Sequence, residues 1–372
     1  MDLHYLRDFR TAGNLAKQGS FAEAVPHYEA ALKLYQSKAW LSRCPWLYAT
    51  GTSKDLAVVL AVELANTLRV LGNTDEAEKY LTYALERDSA CSDAHFGLAG
   101  CQIAQHEFLG ARRNFLKARA LGHSGRFDLP LLNMRIGQGD RLSVLQGSSA
   151  LNMLLGFHEE SLKMLTGKKD PVSIGIRIWS LFALCRFVEA DELLKFSTKL
   201  NPDQASTWRF AALYMALKAE HEDCIRYCRR WEELEPGSTE CKVLLLECRI
   251  ATSSDTEISE ILKTLEAEGL STQDLLELQN SAFRRLGNVE EEYRTSMERS
   301  RLRPLPSVAF RHRQAELLRD QGEVKQARLV VRQVLDEYAE IRPLVKDRER
   351  MMREARSLLE SLDSNCSLRR DR

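Results

Sequence analysis

The chain has 372 residues, and Lys plus Arg and Asp plus Glu number 53 each, so its formal net charge is zero at pH 7. That balance excludes a global field drawing it to nucleic acid or to an anionic membrane surface. Strand formers are sparse, Ala, Leu, Glu and Arg are abundant, and the nine prolines fall mostly between apolar-periodic segments, which predicts an all-α chain.

In chain order, residues 1–35 read as a first helical hairpin, turned at Gly19-Ser20-Phe21-Ala22-Glu23-Ala24. Residues 36–57 are an insertion with Trp40, Cys44-Pro45-Trp46 and Tyr48 ahead of a Gly51-Thr52-Ser53 breaker, and its two tryptophans suggest packing more than disorder. Over 58–122 the turn returns as Gly72-Asn73-Thr74-Asp75-Glu76-Ala77 and as His106-Glu107-Phe108-Leu109-Gly110-Ala111. Residues 123–170 keep an irregular helical-hairpin pattern without the alanine signature. From 171 to 340 the turn recurs at Cys185-Arg186-Phe187-Val188-Glu189-Ala190, Gly287-Asn288-Val289-Glu290-Glu291 and Gly322-Glu323-Val324-Lys325-Gln326-Ala327. Residues 341–363 set Val345, Met352, Leu358, Leu359 and Leu362 in a charged sequence and read as a capping helix, and 364–372 read as a flexible tail.

The second-helix alanine advances from Ala77 to Ala111, and from Ala190 to Cys224, by 34 residues. A small residue marks each first helix (Ala12, Ala65, Ala99, Ala212, Ala315), and Pro202, Pro236 and Pro304 stand where a second helix must stop. In this spacing and these marks the chain resembles the tetratricopeptide repeat superfamily, over most of its length and in about nine degenerate units. The resemblance implies a right-handed superhelical solenoid of helical hairpins whose stacked first helices line a concave groove. Groove positions in that register include Phe9, Val62, Asn66, Phe96, Ile103, Trp179, Phe182, Arg209 and Leu213, and open Phe96, Trp179 and Phe182 would call for an apolar or amphipathic partner segment.

Some family members grip a terminal carboxylate with a lysine and asparagines across three repeats. Here only Arg10 and Asn14 have a suggestive spacing, while Glu63 and Asp93 set acid at the places that follow, which disfavours that mode. The best local basic patch is Arg299, Arg301, Arg303, Arg311 and Arg313, with no acidic residue between them. An inter-repeat loop is the plainer reading of it, and RNA or an acidic protein segment the sharper one.

No phosphate loop, nucleophile elbow or His-Glu-x-x-His run occurs, so no catalytic residue and no cofactor are expected. Cys224 and Cys228 fall in packing slots and fit no zinc spacing, so no metal is expected. The nine cysteines, odd in number and scattered, suit free thiols in a reducing compartment. The start Met1-Asp2-Leu3-His4-Tyr5 lacks a secretory pattern and no window is a membrane span, so a soluble cytoplasmic chain without membrane insertion is expected. The leading expectation is a non-enzymatic adaptor or scaffold subunit of a larger assembly that holds a peptide or helix of a protein partner. A chaperone for secretion or assembly substrates is the alternative, and nucleic acid is disfavoured.

Overall fold

The computed structural model describes residues 4–37, 55–123, 141–302 and 306–367 as helices and the short connections between them. The all-α hairpin architecture expected from the sequence is present in two units, Met1–Asp140 and Arg141–Arg372.

Unit 1 contains α1 (His4–Lys17), α2 (Phe21–Ser37), α3 (Leu56–Val70), α4 (Thr74–Arg87), α5 (Ser92–Ala104) and α6 (Phe108–Ala120). Each consecutive pair is an antiparallel hairpin, and the reason is a step of 12 residues between two small side chains. Ala12 and Ala24, Ala65 and Ala77, and Ala99 and Ala111 are all buried and let the paired helices approach closely. Around these contacts Leu60, Leu64, Leu68, Leu81 and Tyr28 fill one core, each Leu contributing about 1.5–3 kcal/mol by leaving water. The left-handed residue that ends a first helix is Gly19 at φ 83° and Gly72 at φ 85°, and His106 takes the same place at φ 61°. The expected insertion lies largely outside the described residues, as do 124–140 of the irregular segment.

Unit 2 pairs α7 (Arg141–Leu154) with α8 (His158–Met164), α9 (Pro171–Ala183) with α10 (Phe187–Leu200), and α11 (Ala205–Leu217) with α12 (His221–Leu234). It continues with α13 (Thr239–Thr252), α14 (Asp255–Leu265), α15 (Thr272–Arg285), α16 (Val289–Ser300), α17 (Val308–Asp320), α18 (Val324–Glu340) and α19 (Arg348–Ser367). The 12-residue step persists with other chemistry. Ser149 and Ser161 occupy it in α7 and α8, their hydroxyl oxygens 2.8 Å apart, while the Ser149 hydroxyl also lies 2.9 Å from the Ser161 carbonyl. In α15 and α16 it is occupied by Asn280 and Glu292, with the Asn280 amide donating to the Glu292 carbonyl at 2.8 Å. Helix starts are capped by Asp170, Ser238, Ser271, Asn288 and Ser307, whose side chains accept from backbone N–H groups of the first turn.

The last helix begins at Arg348 rather than at 341 and runs to Ser367. The residues between α18 and α19 return to the first helices of the unit. His158 on α8 lies 3.4 Å from the Ile341 carbonyl, Arg348 donates to the Ala183 carbonyl at 2.8 Å, and Leu344 packs on the core of α9 to α13.

Candidate functional site

In unit 1 the first helices α1 and α3 bound a pocket of about 600 Å³. Its walls are Phe9, Gly13, Ala16 and Tyr28, with the Phe9 and Tyr28 rings 6.2 Å apart. Arg10, Asn14 and Lys17 also line it, and their spacing along α1 places them on one face. Glu63 enters from α3. Glu63 keeps contact with solvent, yet the groove walls crowd its carboxyl, and this burial raises its pKa, with Asp93 adding like charge. Burial, with Glu63 alongside, pushes the Tyr28 hydroxyl up to about 12.

Four other expected groove positions of unit 1 are placed differently. Val62 is a core residue with 6% exposure. Phe96 is half-buried and stacked on the His123 ring at 4.2 Å, while His123 sits 3.3 Å from Asp93, so one face of Phe96 is covered by its own chain. Asn66 accepts from Arg69 at 3.2 Å, and Ile103 is half-buried.

In unit 2 Trp179 is half-buried and meets the Phe210 ring edge-on at 5.8 Å. The structure corrects Phe182, which has 3% exposure and packs between Phe187 and Tyr214 at 5.3 and 5.9 Å between ring centroids. Three residues beyond Trp179, its side chain is offset by about 60° around the helix and meets the hairpin interior. Arg209 pairs with Glu240 at 2.8 Å and lies over Phe210, and Leu213 is half-buried against the core.

The basic run 299–313 does not form an open patch. Arg299 and Arg311 have 3% and 8% exposure and pair with Glu277 and Glu337. Arg313 donates two hydrogen bonds of 2.9 Å to the buried Glu292 and a third of 3.0 Å to Glu316. Burial alone would raise Glu292, but Arg313 and Arg284 outweigh it and hold its carboxyl below the usual range. Arg301 is exposed, and Arg303 lies outside the described residues. The acids come from neighbouring helices, where a linear reading of the run does not look.

Cys224 and Cys228 are fully buried and share their core with Cys241 and Cys248. Among the described residues no group of three or more His, Cys, Asp or Glu is arranged to hold a metal ion, and no helix is long and apolar enough to cross a membrane.

Residues 62–126 match the family model of the tetratricopeptide repeat. This segment is similar to the tetratricopeptide repeat. No curated protein matches the chain. Among solved structures, a tetratricopeptide repeat protein from Parabacteroides merdae is 11% identical with a TM-score of 0.39, over 86% of this chain and 98% of that one. Yeast Tom70 is 12% identical with a TM-score of 0.33, over 99% and 97%, and YrrB, a tetratricopeptide repeat protein with an unusual peptide-binding site, is 16% identical with a TM-score of 0.32, over 50% and 90%.

Within the repeat register, three residues of these surfaces escaped the sequence reading. Tyr28 reads as the packing aromatic of a second helix, and only the structure shows its ring edge in the pocket. Lys17 lies one turn beyond Gly13 and Asn14 and extends their face. Phe210 had a readable signal, since Gly175 sits inside the apolar α9 with no turn to explain it. A Cβ there would stand 2.3 Å from the Phe210 ring.

Proposed function

We propose that the chain is a protein-binding adaptor with no enzymatic role of its own, and that the unit 1 pocket receives a peptide or helix segment of its partner. The observation that carries this reading is the concavity itself. About 600 Å³ lies between Phe9 and Tyr28 on the first-helix side of the hairpins, beside a segment that matches the tetratricopeptide repeat. Stacked repeats present extended concave surfaces, and an aromatic-walled cleft with a few polar groups is how such a surface binds.

Gly13→Leu tests it. A Cβ at Gly13 meets only the Tyr28 hydroxyl oxygen, 3.9 Å away, so a leucine side chain starts without a clash and projects into the pocket, and leucine is the better helix former. Proteins captured from native lysate by wild type and by Gly13→Leu are compared by mass spectrometry, with melting temperature as the folding control. A partner lost by Gly13→Leu at unchanged stability is the expected result. Equal recovery by both proteins would remove the pocket from the reading.

A further inference from the structure

We propose that the unit 1 pocket takes a segment of mixed charge, in which an apolar anchor between Phe9 and Tyr28 is flanked by an acidic residue on the α1 side and a basic residue on the α3 side. This rests on the pocket being the binding site, as proposed above.

The argument starts from charges that are close to one cavity yet do not meet. Arg10 and Lys17 from α1 and Glu63 from α3 line the same pocket. Among the described residues, no hydrogen bond or ion pair involves any of the three side chains. Elsewhere in unit 1, opposite charges within a hairpin do pair, as Arg87 with Asp55 at 2.7 Å. Arg10 and Lys17 stand on α1 and Glu63 on α3, so each edge presents one sign. Solvent access remains, so desolvation does not forbid the charges, but an occupant that filled the cavity would strip water from them. Only an occupant carrying the opposite sign at each edge returns what that stripping costs.

The α3 edge is doubly acidic in effect, because Asp93 on α5 adds its like charge to Glu63. A doubly acidic segment would therefore be repelled there, and a doubly basic one would be repelled by Arg10 and Lys17. Asn14 can donate to or accept from the segment's backbone without choosing a sign.

The test is selection of a random twelve-residue peptide library, displayed with its C-terminus fused so that no free carboxylate is offered, on the full chain and on Gly13→Leu. Peptides enriched on wild type and lost on Gly13→Leu are expected to carry an apolar anchor with Asp or Glu on one side and Lys or Arg on the other. The basic position is expected to be enriched about 3- to 5-fold, the range of a part-exposed ion pair, and to fall to the input frequency on Glu63→Gln. The acidic position is expected to fall likewise on Arg10→Gln with Lys17→Gln. An anchor without the paired charges, or a basic position indifferent to Glu63→Gln, overturns this inference and leaves the pocket standing. Identical selections on wild type and Gly13→Leu, or no enrichment on either, overturn the pocket as well.

Discussion

The first-helix faces of the two units use charge in opposite ways. In unit 1, Arg10, Lys17 and Glu63 stand around one cavity without pairing. In unit 2, Arg284, Arg299, Arg311 and Arg313 meet glutamates of neighbouring helices, with Glu292 serving Arg284 and Arg313 together. A buried guanidinium without a counter-charge would be costly, so unit 2 spends its charge on holding helices together. In unit 1 Arg10, Lys17 and Glu63 stay in contact with solvent. The lesson is that the number of basic residues in a run says little about a surface. What decides is whether an adjacent helix supplies the acid.

The sharpest way to break this comparison is to test which aromatic belongs to the core. Phe182→Ala is expected to cost about 3–5 kcal/mol, the range for deleting a buried phenylalanine, and Trp179→Ala well below that, measured as urea unfolding followed by circular dichroism. Equal costs would return Phe182 to the groove. Next, Glu292→Gln keeps the shape of the side chain and removes its charge, leaving Arg284 and Arg313 side by side. Breaking a fully buried pair costs about 3–5 kcal/mol, and since both arginines keep solvent contact about 2–3 kcal/mol is expected here. A cost below about 1 kcal/mol would mean that Glu316 and solvent already satisfy them. The smallest effect is at Glu63.

Its carboxyl pKa is raised in the folded chain, so the folded state binds the proton more tightly than the unfolded one. Glu63 therefore detracts from stability at pH 7, and this deficit disappears as pH falls through the raised pKa and below the ordinary carboxylate value of about 4.3. Glu63→Gln is expected to melt slightly higher than wild type at pH 7, by under about 1 kcal/mol because the group is solvent-screened, and to melt with wild type at pH 4. A variant less stable at pH 7 would show that Glu63 has a partner in the folded chain.

The hairpins were legible because alanine does the same work each time. Ala12 with Ala24 and Ala65 with Ala77 announce both the helix pair and its register. Ser149 with Ser161 and Asn280 with Glu292 hold the same step but satisfy each other by hydrogen bonds, so a search for small apolar residues passes over them. The pocket was half legible. Phe9 stands in the groove register, Arg10, Asn14 and Glu63 stand out by spacing, and Lys17 extends the α1 face by one turn, but Tyr28 joins them only through the crossing of α1 with α2. Val62 and Phe182 were misplaced because one residue of helix rotation, about 100°, separates groove from core.

The return of residues 341–348 was not legible at all, since it joins His158 to a carbonyl 183 positions away. Its consequence concerns how unit 2 comes apart. A row of repeats held only by neighbours can fray from its ends, one hairpin at a time. Here the segment 341–348 touches α8 through His158 and α9 through Ala183, with Leu344 on the core of α9 to α13, so loosening either end removes contacts from the other. Unit 2 is therefore expected to lose its end hairpins together instead of peeling.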